Sequence, residues 1–140
     1  MKFTTTYKKW DIILVPFPFT DLKTSKKRPA LIISPDKYNE KFDVVIAFIT
    51  SKLDSEYRSG DYKILEWEKS NLPKPPMIRT KFATIDKSVI LKKIGRLSEK
   101  DVNGFKKSLI SFFAEWFIPL IVTKINVPGA WVGTINLFPG

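Results

Sequence analysis

The feature that most constrains this chain is a polar, basic loop between two strongly apolar segments. Residues 12–19 and 30–33 contain only Ile, Leu, Val, Ala, Phe and Pro. The residues between them include four cations, Lys23, Lys26, Lys27 and Arg28. Branched and aromatic side chains suit a pleated, buried surface, whereas the charged residues between them must loop over the surface. The pattern therefore predicts a β-hairpin with a cationic end.

Arg28 stands directly before Pro29 in this loop. The proline ring disfavours the α region for the preceding residue, so we expect the Arg28 backbone to be extended. A guanidinium on such a stiff base is suited to grip a phosphate through two parallel hydrogen bonds. A solvated, lysine-rich hairpin tip is the plainer interpretation of the same residues.

Further apolar, β-branched runs predict more strands later in the chain. In one of them Arg79 and Lys81 lie two residues apart, so their side chains should share one face of the sheet and form a second cationic stripe. Pro73, Pro75 and Pro76 exclude an inner strand or a helix between two of the runs. The predicted strands cover residues 10–15, 30–33, 43–49, 62–65, 77–85 and 89–94.

One helix is predicted near the carboxy terminus. Ser98 and Asp101 have the spacing of a capping box, and Pro119 should end the helix. The apolar side chains recur at three- and four-residue steps and should cover one face of the sheet or join a dimer seam. They are Val102, Phe105, Leu109, Phe112, Phe113, Trp116 and Phe117.

The composition indicates one domain and a polyanionic partner. A chain of 140 residues can bury a hydrophobic core without disulfides or a structural metal. Its 24 Lys and Arg against 14 Asp and Glu give a formal charge of +10, which attracts polyanions. Nucleic acid, an acidic protein or an anionic membrane would each fit this charge. The sequence shows neither an apolar run of membrane-spanning length nor a signal peptide, so we expect a cytoplasmic protein that does not enter membranes.

The chain contains no cysteine and no histidine. Disulfides, cysteine nucleophiles, histidine bases and the usual zinc sites are therefore excluded. The aspartates are scattered singly, and there is no Gly-rich phosphate loop. We expect no metal site and no cofactor.

Four strings in one order carry a family resemblance. They are DIILVPFPFTDL at residues 11–22, KRPALIIS at 27–34, VIAFITS at 45–51 and LKKIGRLS at 91–98. Together they resemble the MazF/PemK toxins of toxin–antitoxin pairs over residues 10–113. The resemblance implies an SH3-like, strongly twisted antiparallel barrel with a carboxy-terminal helix. It also implies a homodimer that acts as a metal-independent endoribonuclease on single-stranded RNA at short sequences and is inhibited by a cognate acidic antitoxin.

We therefore expect residues 1–9 to form a flexible lead-in and residues 10–118 to form the barrel domain. Residues 119–140 would be an extension without an assigned role. The family's catalytic arginine falls on Arg28 and its catalytic hydroxyl on Thr50. One departure is Trp10, where the family usually has glycine; glycine adopts backbone angles that are costly for tryptophan. The side chains expected to bind RNA are Lys26, Lys27, Ser51, Arg79, Lys81, Phe17 and Phe19.

These residues suit RNA cleavage in which the substrate supplies the nucleophile. The 2′-hydroxyl attacks the adjacent phosphorus and gives a 2′,3′-cyclic phosphate and a 5′-hydroxyl. Arg28 would stabilise the charge that builds on the phosphoryl oxygens, and Thr50 would hydrogen-bond the phosphate or position the 2′-hydroxyl. Lys26 and Lys27 are candidates for proton transfer, although attraction of phosphate is their plainer role.

Three other functions fit the same sequence. A non-catalytic, nucleic-acid-binding regulator could keep the barrel and its basic surface without cutting RNA. A gyrase-poisoning toxin of the CcdB type could use the same fold. A basic domain that adheres to membranes is the third, although the apolar face of its helix has a sheet to cover.

Overall fold

The computed structural model describes residues 6–18, 26–51 and 57–125, with the side chains of the last helix described as far as Ala114. The strands are β1 (Asp11–Phe17), β2 (Lys26–Ile32), β3 (Asp43–Thr50), β4 (Tyr62–Lys63), β5 (Met77–Asp86) and β6 (Lys92–Arg96). They form one antiparallel sheet in the order β4-β5-β3-β2-β1-β6. Two helices, α1 (Asp36–Asn39) and α2 (Glu99–Ile125), complete the fold.

The sheet is curled into a half-barrel, which confirms the mainly-β, MazF-like fold with a carboxy-terminal helix. The register of β1 with β6 shifts between Ile12 and Ile13, and that of β3 with β5 shifts between Ala47 and Ile49. Such irregularities bend a strand and increase its twist. They therefore help to curl a sheet of only six strands.

Alternation along the strands places apolar side chains on both faces of the sheet. In β2, Leu31 packs in one buried cluster with Phe105 of α2, whereas Ala30 and Ile32 pack in a second cluster on the opposite face. In β3, Ala47 and its neighbours alternate between the same two clusters. Successive strand residues point to opposite faces, so this sheet is buried on both sides along its central strands.

The amino-terminal end of α2 is fixed by Ser98 and Asp101, the pair that the capping-box spacing predicted. The backbone N–H of Asp101 donates to Ser98 Oγ at 3.2 Å, and the Ser98 hydroxyl donates to Asp101 Oδ2 at 3.1 Å. The fully buried Asp101 carboxylate also accepts the backbone N–H groups of Leu65 and Glu66 and the hydroxyl of Tyr62. One carboxylate therefore ties the start of α2 to the segment after β4.

The middle of α2 covers the sheet as the apolar spacing predicted. Val102, Phe105 and Leu109 belong to or pack against the cluster that contains Leu31. Phe112 and Phe113 contact the ring of Phe82 on β5. The side chains of Trp116 and Phe117 lie outside the described residues.

The prediction that Pro119 ends the helix was wrong, because α2 continues to Ile125. A proline inside a helix removes one N–H bond and clashes with the carbonyl four residues earlier, which kinks or breaks the helix. Here the cost does not stop the helix. The proposed boundary between residues 118 and 119 therefore falls inside α2.

Three further differences from the sequence analysis concern the connections. Lys26, Lys27, Arg28 and Pro29 lie within β2 and not in the predicted loop, whose residues 20–25 lie outside the described part. Neither the short helix α1 nor the 3-10 helix at Lys87–Val89, which follows β5, was predicted. Within the described residues, no helix is long and apolar enough to cross a membrane.

Candidate nucleic-acid interface

The register of the sheet brings Arg28 and Thr50 together. β2 and β3 pair at Ala30 with Phe48 and at Ile32 with Ile46. Counted on by two residues past this pairing, Arg28 and Thr50 point to the same face as Ala30 and Phe48. The guanidinium and the hydroxyl therefore start from neighbouring positions on one face.

The hydrogen-bonded pairing of β2 with β3 ends before Arg28 and Thr50. The pairing between these two described strands covers Ala30–Ile32 only, and the end of β3 pairs instead with β5, where Thr50 stands opposite Met77. On the other side of β2, Arg28 remains paired with Val15 of β1. The strand ends thus open a gap between Arg28 and Thr50 while each backbone stays fixed by its other neighbour.

A cavity of about 340 Å³ lies at this gap and is termed the basic cavity. Arg28 and Thr50 line it together with the rings of Phe17 and Phe48. Its other cations are Arg58, Arg79 and Lys81. The ammonium of Lys81 lies 5.2 Å from the centre of the Phe17 ring and 5.7 Å from that of Phe48. Four cations around one opening create a field that attracts a phosphate.

Arg79 is held in the basic cavity by a buried carboxylate. Its Nη1 lies 3.3 Å from Oδ2 of Asp61, whose side chain is fully buried. The same carboxylate accepts the backbone N–H groups of Arg58 at 2.8 Å and Thr80 at 2.9 Å. These bonds fix the guanidinium before any ligand arrives, which lowers the cost of binding.

A second cavity, of about 380 Å³, lies on the other side of Arg28 and Thr50 and is termed the proline cavity. Its walls are mostly apolar and include Leu14, Pro29, Pro73, Pro76 and Ile94. Lys27, Ser51 and Lys74 add polar atoms. Arg28 and Thr50 line both cavities, so they stand on the divide between a cationic compartment and an apolar one.

The family model of PemK-like, MazF-like toxins of type II toxin–antitoxin systems matches residues 8–113. The chain belongs to this family. A sequence search of curated proteins found no match. In this MazF-like chain the predicted site thus lies within the matched region.

Solved structures share the fold at low sequence identity. An endoribonuclease from a mycobacterial species, in complex with its cognate antitoxin, superposes with a TM-score of 0.61 at 14% identity, covering 75% of this chain and 92% of its own. For Mycobacterium tuberculosis toxin MazF-mt6 the TM-score is 0.60 at 17% identity, with coverages of 74% and 95%. MazE–MazF from Deinococcus radiodurans superposes with a TM-score of 0.61 at 14% identity, covering 79% of this chain and 98% of its own.

The structure brings together most, but not all, of the predicted site residues. Arg28, Thr50, Phe17, Arg79 and Lys81 line the basic cavity. Lys27 and Ser51 line the proline cavity together with Arg28 and Thr50, and the apolar residues of that cavity were not predicted to belong to the site. Lys26 is exposed on β2 opposite Phe17 and lines neither of these two cavities. Phe19 lies outside the described residues.

Sequence reasoning missed Arg58, Phe48 and Asp61. Phe48 was hidden within an apolar run, although it alternates with Ala47 and Ile49 and so shares a face with Thr50. Asp61 directly precedes a predicted strand and was not assigned a role, yet it is fully buried. A single aspartate directly before a strand carries no distinguishing signal, because only its contact with Arg79 on another strand reveals its role.

Proposed function

We propose that this protein is a sequence-specific endoribonuclease toxin that cleaves single-stranded RNA without a metal ion. The observation that carries the proposal is the common position of Arg28 and Thr50 at the opening between β2 and β3, where both line the basic cavity. A phosphodiester in this opening meets a guanidinium on one side and a hydroxyl on the other. Membership of a toxin family whose fold is shared by an endoribonuclease supports the same activity.

In the proposed mechanism the protein positions the RNA and stabilises charge. The 2′-hydroxyl of one nucleotide attacks the adjacent phosphorus, and the bond to the 5′-oxygen of the next nucleotide breaks. The products are a 2′,3′-cyclic phosphate and a 5′-hydroxyl. Arg28 stabilises the negative charge that develops on the phosphoryl oxygens, a kind of donor worth about 10²–10³ in rate. Thr50 hydrogen-bonds the same phosphate or orients the 2′-hydroxyl.

The remaining cations and rings guide the strand. Arg79 and Lys81 attract the neighbouring phosphates, and Phe17 offers a surface on which a splayed base can stack. Lys27 lines the proline cavity and Lys26 is exposed at the start of β2. Both add attraction or take part in proton transfer. Ser51 follows Thr50 and supplies a further hydroxyl.

The proposed inhibitor, oligomeric state and location of the protein are inferred from its family. We propose that a cognate acidic antitoxin inhibits the protein by occupying the RNA groove, that the active form is a homodimer, and that the protein acts in the cytoplasm. An antitoxin is bound in related structures from a mycobacterial species and from Deinococcus radiodurans. The +10 charge of the chain suits an acidic partner.

The test is the chemistry of the RNA ends. Purified protein incubated with a mixed single-stranded RNA should release fragments with 5′-hydroxyl ends and cyclic phosphates at a short common sequence. RNA that is bound but left intact would instead identify a regulator, and inhibition of gyrase without RNA cleavage would identify a gyrase poison. Either result would refute the proposal.

A further inference from the structure

The proline cavity has the chemistry of a nucleobase site next to the cleaved phosphate. Its walls are apolar side chains and proline rings, including Leu14, Pro29, Pro73 and Ile94. Cations from Lys27 and Lys74 lie beside these walls. A base is a flat, weakly polar ring tied to an anion, so it needs an apolar slot with cations close to it.

The proline cavity is also continuous with the proposed catalytic pair. Arg28 and Thr50 line it as well as the basic cavity. Lys27 and Pro29 point to one face of β2 while Arg28 points to the other. Because the pairing of β2 with β3 ends at Ala30, Arg28 lines the cavities on both sides of the sheet. A phosphate held between Arg28 and Thr50 therefore has its own nucleotide at the entrance of the proline cavity.

The wall of this cavity is fixed on both sides of its prolines. The Asn71 side-chain amide donates to the Ile94 carbonyl oxygen at 2.8 Å, and the Leu72 N–H donates to the Trp67 carbonyl oxygen at 3.0 Å. After the prolines, the Pro76 carbonyl oxygen accepts the Ile64 N–H at 3.0 Å. A preformed wall can discriminate between ligands of different shape, because little ordering is required when one binds.

A close approach of two backbones completes the wall. A Cβ atom added at Gly95 on β6 would lie 2.1 Å from the carbonyl oxygen of Ser70. Only glycine allows β6 to pass this close to the residues that precede the prolines. The position of Ile94 opposite the prolines is therefore set by the backbone itself.

From these observations we propose that the proline cavity binds the base of a nucleotide flanking the cleaved bond and contributes to the sequence preference of the enzyme. The inference rests on the proposed function, because it assumes that the strand passing between Arg28 and Thr50 is RNA. An apolar side chain of an acidic peptide is the competing occupant. The shared cations and the continuity with the phosphate position favour the nucleotide.

The test combines protein variants that fill the cavity with RNA from which one base has been removed. Ile94→Phe and Leu14→Phe each place a ring in the cavity from a different wall. Leu91→Phe is the matched control, because Leu91 is 48% exposed and lies outside the proline cavity. Thermal unfolding establishes which variants fold. Affinity is measured with a short RNA that carries a 2′-deoxy sugar at the cut position, so that it binds without being cleaved.

The same RNA is then prepared with an abasic nucleotide on either side of the cut. We expect one abasic position to weaken binding to the parent by about 10-fold or more. A filled variant should show the same loss with intact RNA and no additional loss with the abasic RNA. Leu91→Phe should behave as the parent does. If the abasic loss is as large in the folded filled variants as in the parent, the proposal is wrong.

Two further arms separate the competing explanations. A glutamate-rich peptide with one leucine is titrated in parallel. Loss of peptide binding in the filled variants, with every RNA affinity unchanged, would assign the cavity to a protein partner and overturn the proposal. Failure of the proposed function would be recognised separately, because the parent protein would then cut no RNA in the cleavage assay. In that case binding of homopolymers of each base is compared between the parent, the filled variants and Leu91→Phe, and equal affinities would refute the base site.

Discussion

Oδ2 of Asp61 lies 3.3 Å from Nη1 of Arg79, and this buried ion pair connects the residues before β4 to the strand that lines the basic cavity. The Arg79 side chain is 15% exposed and the Asp61 side chain is fully buried. A buried pair of this kind contributes little net stability by itself, but removing one partner leaves the other charge without compensation. The pair therefore fixes the position of a cation that lines the basic cavity more than it stabilises the fold.

Asp61→Ala should accordingly destabilise the protein strongly. The change leaves the Arg79 guanidinium and two backbone N–H groups without their acceptor, and the expected loss is about 3–5 kcal/mol in the free energy of unfolding. Urea unfolding measures it. Asp86→Ala is the control, since Asp86 is exposed and its carboxylate caps the 3-10 helix by accepting the Ser88 N–H, a cap worth about 1 kcal/mol. Equal losses in the two variants would contradict the structural role given to Asp61.

Arg28→Ala should abolish RNA cleavage while the protein still folds. Loss of one donor to the developing charge lowers the rate by at least about 10²–10³, and Arg28 is not part of either buried cluster. Cleavage of a defined RNA at saturating enzyme measures the rate. Lys107→Ala removes the same charge from an exposed position on α2 and should cut as the parent does. An Arg28→Ala variant that cuts at the parent rate would disprove the assignment.

A chelator should leave cleavage unchanged. Attack by the 2′-hydroxyl requires alignment and charge stabilisation, which arginine and threonine can supply in the proposed mechanism. The measurement is the initial rate of cleavage by dialysed protein with EDTA, with magnesium added back in a parallel sample. A rate that depends strictly on magnesium would contradict the mechanism.

Tyr62→Phe should change the stability of the protein at alkaline pH. Burial of the ring and its hydrogen bond to Asp101 raise the pKa of the Tyr62 phenol. The folded state holds this proton more tightly, so the contribution to stability is complete below about pH 10, the ordinary tyrosine pKa, and is lost as the pH rises further. The variant should lose about 0.5–1.5 kcal/mol at neutral pH.

Urea unfolding at a series of pH values measures this effect. Stability should decline less steeply above about pH 10 in Tyr62→Phe than in the parent. Tyr38→Phe is the control, because Tyr38 is 45% exposed and should keep the parent's slope. Identical slopes for all three proteins would show that Tyr62 does not govern the alkaline loss.

Trp10 should carry a measurable backbone strain. Its φ is 76°, in the left-handed region where a residue with a Cβ costs about 1–2 kcal/mol. The ring offsets this cost by packing edge-on against Phe105 at 6.0 Å between centroids. Trp10→Gly and Trp10→Ala both lose the ring, but only glycine removes the strain. Trp10→Gly should therefore be more stable than Trp10→Ala by about 1–2 kcal/mol in urea unfolding, and equal stabilities would refute the strain.

Local sequence patterns were sufficient for the strands, the capping box and the basic character of one end of the sheet. The runs around Ile32 and Ile46 are β-branched, and Ser98 precedes Asp101 by three residues, so short-range physics determines these elements. The boundaries were less accurate. β2 begins at Lys26 because charged residues at the end of a strand can stay exposed while their backbone pairs with β1.

The tertiary structure alone decided how the site is divided. Whether Arg28 meets Thr50 depends on the register between β2 and β3, and a slip of one residue would send either side chain to the opposite face. Asp61 can hold Arg79 only because the fold places β5 next to the residues that precede β4. The proline cavity likewise exists because β6 approaches Ser70 at Gly95. Residue identities supplied the cations and the apolar surface, and pairing between residues distant in the chain determined which of them meet.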